Sequence, residues 1–207
     1  MKFFQIHTET PQPRLVRQAV DVIRRGGVII YPADSSYALG CAVGEKSALD
    51  RIRQIRRLDD KHNFTLICRD LSELGLYAKV NTSAFRLLKA HLPGPYTFIL
   101  DATREVPRML MHPKKRTIGL RVPANPIAQA LLEELGGPML SVSLIMPGST
   151  EPLSDPYEIR DLLEHQVDLI IDGGYGTYEA STVVDLTGDQ PEIVRYGSGD
   201  VSAFVEA

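Results

Sequence analysis

Apolar positions along the chain recur with two periods. Between residues 14 and 25, Leu15, Val16, Ala19, Val20, Val22 and Ile23 follow helical spacing, Pro13 suits the first turn, and Gly26-Gly27 ends the run. Val28–Tyr31 is wholly apolar, as expected of a strand buried on both faces. The polar stretch Pro32-Ala-Asp-Ser-Ser-Tyr-Ala-Leu-Gly40 then reads as a loop of the kind that carries ligand contacts in α/β sheets. A second helix is predicted over 48–58, with Ser47 as N-cap and Asp50 completing a capping box. Its apolar face holds Leu49, Ile52 and Ile55, with Arg51, Arg53, Arg56 and Arg57 elsewhere. A polar loop, Leu58–Asn63, leads to a strand at Phe64–Cys68. Helices follow at 71–77 and 82–91, then a Pro93-Gly-Pro95 turn, a strand at 97–101 and a basic loop at 104–116. Asn125 and Pro126 open a further helix that Gly136-Gly137 closes, and Asp155-Pro-Tyr-Glu158 opens another. Strands at 167–172, 181–186 and 191–196 are joined by short links, which predicts antiparallel pairing among them. Helices alternating with strands, without a low-complexity linker or repeat, predict one α/β domain over 1–207 with a core of about 12–200 and a twisted mixed sheet.

The strands also alternate within themselves. In Thr117–Pro123, Ile118, Leu120 and Val122 share one face, and Gly119 and Arg121 the other. An arginine beside a residue without a side chain has room above it for a ligand, and guanidinium forks onto carboxylate or phosphate. An arginine paired to an internal Asp, or lying at a strand edge, would give the same pattern. Ser141 and Ser143 share a face opposite Leu140, Val142 and Leu144; Ser181 and Asp185 lie opposite Thr182, Val184 and Leu186; Arg195 shares its face with Gly197. If those faces coincide in one sheet, small hydroxyls, glycines and two arginines form the floor of an anion site.

Composition changes the picture in two places. The hydrophobic share of 43% and charged share of 24% are those of a globular chain. No apolar run approaches the ~20 residues of a membrane span, and the first residues lack the core of a signal peptide, so no membrane partner and a cytoplasmic setting are expected. Cys41 and Cys68 fit buried thiols, and no metal-type spacing occurs. The charge is more informative. Residues 1–121 hold 21 lysines and arginines against 11 acidic residues, while residues 122–207 hold 2 against 15. That asymmetry points to a polyanion surface on the first part. P-loop and dinucleotide-binding glycine motifs are missing, as is His-Glu-x-x-His.

Six segments, in this order, resemble the YrdC-like domain family: Pro32–Gly40, Pro93-Gly-Pro-Tyr-Thr-Phe-Ile-Leu100, Ile118-Gly-Leu-Arg-Val-Pro123, Ile171-Asp-Gly-Gly174, Ser181-Thr-Val-Val-Asp185 and Arg195-Tyr-Gly197. The resemblance implies an open α/β sheet with flanking helices and a concave, partly basic face. It implies a threonylcarbamoyl-AMP synthase, which joins L-threonine, bicarbonate and ATP, releases pyrophosphate, and feeds a tRNA modification. Mg2+ would accompany ATP, with no protein metal site. On the matching positions, Ser35, Tyr37, Arg121 and Ser181 would hold threonine, and Arg195 and Gly197 the nucleotide.

Two family motifs are altered. The Lys-x-Arg motif falls on Arg56-Arg57-Leu58, and the Ser-x-Asn motif on Ser141-Val-Ser143. Arg56, Ser141 and Ser143 are the catalytic candidates that this leaves. Losing one preorganised donor typically costs ~3–4 kcal/mol in the transition state, so a slow enzyme is expected. The alternative is a non-catalytic module of the same fold that binds double-stranded RNA or tRNA through Arg51, Arg53, Arg57, Lys61, Lys114, Lys115 and Arg116.

Overall fold

The helix α1 (Pro13–Arg24) begins on a proline, whose missing N–H is no loss there, and buries Val16, Ala19, Val20 and Ile23 along one stripe. The computed structural model describes residues 1–59 and 61–205; Asp60 of the expected polar loop and residues 206–207 of the tail lie outside the described residues. Helices α2 (Lys46–Arg56), α3 (Leu71–Tyr77), α4 (Thr82–His91), α5 (Pro126–Leu135), α6 (Pro156–Leu163) and α7 (Ser202–Val205) complete the helical set described. The caps at Asn81, Asn125 and Asp155 form as their residue types demand, each side chain accepting from backbone N–H groups of the first turn.

Among the described residues, ten strands make one mixed sheet. They are β1 (Lys2–Gln5), β2 (Ile29–Pro32), β3 (Tyr37–Ala42), β4 (Thr65–Ile67), β5 (Tyr96–Asp101), β6 (Thr117–Arg121), β7 (Met139–Ser143), β8 (Leu169–Asp172), β9 (Thr182–Asp185) and β10 (Glu192–Arg195). Their order is β1-β8-β2-β3-β7-β4-β6-β5-β9-β10. On one face, α1 and α5 pack over Ile29, Tyr31, Ala38, Met139, Leu169 and Ile171. On the other, residues of α2, α4 and α6 pack with Leu39, Leu120, Leu140 and Phe98. The α1/α5 layer covers the β8-β2-β3-β7 part of its face. On that same face, the part made by β4, β6, β5 and β9 stays open and becomes the floor of a cavity.

The structure differs from the sequence expectation at four places. Residues 37–40 of the expected loop belong to β3, where their small and apolar side chains are buried against β2 and β7. The capping box at Ser47 does not form. Helix α2 starts at Lys46 on Glu45, and Ser47 Oγ donates to Glu45 Oε1 at 2.9 Å. Of the three closing strands, β9 and β10 pair antiparallel, but β8 lies near the opposite edge, parallel to β1 and β2. The segment 173–180 between β8 and β9 is anchored on the way by backbone bonds of Gly176 to Ser154 and Thr177 to Ser35. Finally, β1 and α7 were not expected; β1 is a four-residue edge held by backbone pairing to β8, with no strong side-chain pattern.

Candidate functional site

The register of the sheet builds the floor directly. Gly40 pairs with Ser141, Ser141 with Thr65, Thr65 with Gly119, and Gly119 with Ile99. Paired residues on adjacent strands point to the same face, so Ser141, Thr65 and Ile99 lie in a row across the sheet with Gly40 and Gly119 between and beside them. A cavity of about 440 Å³ stands over the uncovered part of that face. Arg121, Ser141, Ser143, Ser181 and Arg195 all line it, with Thr97, Val183 and Val194. Its wall comes from the end of α2 and the loop to β4, through Arg56, Lys61, His62 and Asn63.

Arg121 lies at the end of β6 and is 5% exposed. Its Nη2 is 3.5 Å from Asp34 Oδ2 and 3.4 Å from Ser35 Oγ, and its Nε is buried without a hydrogen-bond partner. Both readings of the sequence therefore meet here: the arginine has an internal Asp, and it also faces a cavity. Asp34 Oδ1 accepts from the Asn125 N–H at 2.6 Å, which ties the same carboxylate to the start of α5. Ser35 reaches the site through Arg121 while itself 2% exposed.

Arg195 donates from Nε and Nη2 to the Ser181 carbonyl at 3.0 and 2.9 Å, and from Nη2 to Ser181 Oγ at 3.0 Å. Ser181 Oγ also lies 2.9 Å from Thr97 Oγ1. A bulge between Ile193 and Arg195 breaks the alternation of β10 and brings Val194 and Arg195 to the same cavity. Ser141 Oγ is 2.5 Å from the Tyr31 hydroxyl, whose burial pushes its pKa up to about 12 despite that bond. Burial, then the neighbouring Arg195, lowers Arg56 to about 10; burial, then Arg121, lowers Arg195 in turn. Each guanidinium stays charged at neutral pH, and together they crowd positive charge around one space. His62 is pushed down to about 4 by burial and then by Arg56, Arg195 and Arg53, against the raising effect of Asp59. Burial raises both thiols, Cys41 to about 12 and Cys68 further, which leaves them inert at neutral pH.

Several expected site residues lie elsewhere. Tyr37 does not line the cavity. Its ring is 1% exposed in the core, and its hydroxyl donates to the Gly174 carbonyl at 2.6 Å and accepts from the Gly173 N–H at 3.1 Å. It fastens the turn after β8 to β3. Gly197 lies against the backbone at Ala180–Ser181, where a Cβ would come within 2.2 Å of the Ala180 carbonyl. It borders a neighbouring hollow of about 580 Å³ that shares Arg195 with the cavity and carries the exposed rings of Tyr178 and Tyr196. The space above Gly119 is also smaller than expected, since a Cβ there would meet Thr65 Oγ1 at 2.7 Å and the Phe64 carbonyl at 3.1 Å.

The basic cluster of α2 divides. Arg51 pairs with Asp168 at 2.7 Å and donates to the Gln166 carbonyl at 2.9 Å. Arg53 lies over the Phe64 ring at 5.2 Å. Arg56 and Lys61 face the cavity, and Arg57 is the exposed, left-handed C-cap of the helix. Lys114, Lys115 and Arg116 are exposed on a turn in which His112 Nδ1 accepts from the N–H groups of residues 114 and 115. Lys115 and Arg116 join Lys79, Arg104, Arg108 and His112 around a separate open hollow of about 1020 Å³.

Asp34, His62, Asn63, Thr65 and Thr97 are the site residues that strand alternation and motif positions did not single out. Thr97 was within reach, since it shares a strand face with Ile99, but only the β5–β9 pairing sets it beside Ser181. No group of three or more potential metal ligands exists among the described residues.

Comparison with known proteins agrees with this geometry. The Sua5/YciO/YrdC family model, whose description reads telomere recombination, matches residues 21–197. The chain is 60% identical to the YciO protein of Escherichia coli (strain K12) over 204 residues, covering 99% of each. The crystal structure of that protein superimposes with a TM-score of 0.97, covering 99% of this chain and 100% of that one. The chain is 35% identical over 159 residues to a threonylcarbamoyl-AMP synthase of Nitrosococcus oceani, covering 76% of this chain and 85% of that one. The crystal structure of P. abyssi Sua5 complexed with L-threonine gives a TM-score of 0.87 at 26% identity; 95% of this chain matches 58% of that one. By fold, by the order of its motifs and by these matches, the chain belongs to the Sua5/YciO/YrdC family.

Proposed function

We propose that the cavity over β4, β6, β5 and β9 binds ATP and an α-amino acid of the threonine type, and that the protein is a slow threonylcarbamoyl-AMP synthase. The observation that carries this reading is the charge of the cavity. Arg56, Lys61, Arg121 and Arg195 line one space; among the described residues, Asp34 is set against Arg121, and Asp59 acts on His62 from the loop. So much unmatched positive charge at a partly dry site calls for a ligand of several negative charges. Arg121, with Nε unpartnered beside the hydroxyl of Ser35, suits the substrate carboxylate. Arg195 and Arg56 suit the phosphates, and the hollow with Tyr178 and Tyr196 suits the nucleobase, on whose face an aromatic ring stacks.

In the reaction, the threonine amine would form a bond to the carbon of bicarbonate with loss of water. The carbamate oxygen would then attack the α-phosphorus of ATP, breaking the bond to the β-phosphate bridge and releasing pyrophosphate. No covalent enzyme intermediate is needed; positioning and preorganised charge carry the work. The donor set is cationic and hydroxylic, which fits phosphate oxygens and offers no carboxylate pair to a cation. Mg2+ would therefore enter on the phosphates and supply further charge neutralisation to the leaving pyrophosphate.

The altered motifs set the expected pace. Leu58 packs against the core instead of presenting a charge. Ser143, in place of an amide, has a shorter reach. Structured RNA is a second ligand class that we assign to the open basic hollow at 104–116. There Lys79, Arg104, Arg108, Lys115 and Arg116 stand against one lining carboxylate, Asp101. A purely RNA-binding role through α2 has less to rest on, because Arg51 is tied to Asp168 and Arg56 faces the cavity. The reading is tested by thermal shift with ATP, L-threonine and bicarbonate, alone and together. A ligand at ~100 times its Kd adds about 2.7 kcal/mol. ATP and threonine each raising Tm, and more together than apart, is the expected result; no shift from either overturns the reading.

A further inference from the structure

His62 stands on the cavity wall between Lys61 and Asn63, and none of the roles above uses it. Its ring lies edge-on to Phe64, with centroids 5.3 Å apart and planes at 76°. Phe64 in turn carries the Arg53 guanidinium over its face. The His62 N–H donates to the Asp59 carbonyl at 3.3 Å, closing the turn that carries it. Packing thus sets the direction of the ring, while neither ring nitrogen has a hydrogen-bond partner among the described residues.

Among the described residues, the charged groups around it come from three places. Arg53 and Arg56 act from α2, Arg195 from β10 and Asp59 from its own loop, where Lys61 lines the same cavity. Burial and the three guanidiniums keep the imidazole neutral in the free protein. A neutral imidazole offers one N–H donor and one bare lone pair. A lone pair facing a phosphate oxygen is repulsive, and a second donor there is attractive.

We propose that His62 is a contact for the bound anion, and that it takes up a proton from solvent as a phosphate-bearing ligand enters and donates a hydrogen bond to it. The proposal rests on the polyanion reading of the cavity and adds a residue and a proton to it. The negative charge of the ligand offsets the guanidinium field that opposes protonation. An opposite charge within ~4–6 Å raises a pKa by ~1–3 units. The loop then supplies a cation close to where the family motif's arginine is replaced by Leu58, and supplies it only when the ligand is there. The sign is definite. A base held down in the free protein and raised in the complex makes binding tighter as pH falls through the bound-state midpoint. The gain stops below the free-state midpoint of about 4.

The test is nitrogen-15 NMR of the histidine rings in the full chain, titrated from pH 4 to 8 with and without inorganic tripolyphosphate, with His62→Gln for assignment. The expected free protein shows a His62 midpoint below about 5, and saturating tripolyphosphate raises it by at least ~1 unit. Calorimetry between pH 7 and 4.5 should then show wild-type affinity gaining about threefold or more over that of His62→Gln, as midpoints of about 4 and 5 require. A free-state midpoint near 6.5 overturns the inference. So does a midpoint that does not move while the backbone amides of Ser143 and Arg195 shift, which leaves the polyanion reading standing. An equal pH dependence of affinity in His62→Gln also overturns it. If no cavity resonance responds to millimolar tripolyphosphate, this inference and the polyanion reading fall together.

Discussion

The Arg121 and Asp34 side chains are 6% and 8% exposed, and their charged atoms approach to 3.5 Å. Removing one member of such a buried pair strands the other and typically costs ~3–5 kcal/mol. Alternation along β6 suggests a residue free to serve a ligand, and from that view Arg121→Ala would leave stability alone. The structure predicts otherwise. In urea unfolding, Arg121→Ala should lose ~3 kcal/mol or more, and adding Asp34→Asn should return much of it, because Asn keeps the bond from the Asn125 N–H. Equal stability of Arg121→Ala and wild type would contradict the pairing. His62 makes a second prediction at this scale. Its folded-state pKa of about 4 lies below the ordinary 6.5, so the unfolded chain binds more protons between those values. The stability that a neutral His62 contributes is present above pH 6.5 and lost as pH falls toward 4. Unfolding of His62→Gln should therefore show a flatter acid limb, by about 1–2 kcal/mol after solvent screening. Residue types and alternation made Arg121, Ser141, Ser143, Ser181 and Arg195 legible in the sequence. Asp34 and His62 were not, because their importance comes from neighbours distant in the chain: Asp34 matters through β6, His62 through β10.

Among the elements, β6 and β4 show how close packing limits the site. Gly119 sits where β4 delivers Thr65 Oγ1 and the Phe64 carbonyl, and the Gly119 N–H donates to that carbonyl at 2.9 Å. Gly119→Ala should cost ~1–3 kcal/mol, as overpacking does, and weaken ATP binding by intruding on the floor. Chemical denaturation and calorimetry check this, and an unchanged midpoint with unchanged affinity would contradict it. The helix starts at Asn81, Asn125 and Asp155 were legible because their signals are local, each side chain accepting from the first turn, whereas Ser47 and the strand β3 were not. The neighbours of β8 were not legible either. Short links suggested that β8, β9 and β10 lie side by side. The 173–180 segment instead leads from β8, near one edge of the sheet, to β9, near the other, through a route fixed by Tyr37, Ser35 and Ser154. No local pattern encodes such a route.

For the whole molecule, charge is unevenly placed, and the structure sorts it by use. Arg51 is spent on Asp168, Arg56 and Lys61 on the cavity, and the 104–116 surface stays open. RNA affinity at low salt should therefore fall at least ~10-fold when Lys114, Lys115 and Arg116 are all replaced by Gln, with the salt slope reduced by up to ~2–3 units. The Arg51→Gln change should act on stability instead. Gel-shift titrations at two salt concentrations decide this; equal RNA binding by the triple variant removes the assignment of that hollow. The charge asymmetry was legible in sequence as a count, but its division between an internal pair, a cavity and a surface depends on the tertiary fold.

The central claim is that one cavity brings ATP, threonine and bicarbonate together. The measurement that reaches it most directly is pyrophosphate release by the purified protein with all three substrates, compared with each omission and with Arg195→Gln. Slow release is expected that requires ATP, L-threonine and bicarbonate together and falls by at least ~10-fold in Arg195→Gln, as loss of a preorganised charge does. Release that persists without threonine or bicarbonate, or no release above background at any substrate concentration, would contradict it.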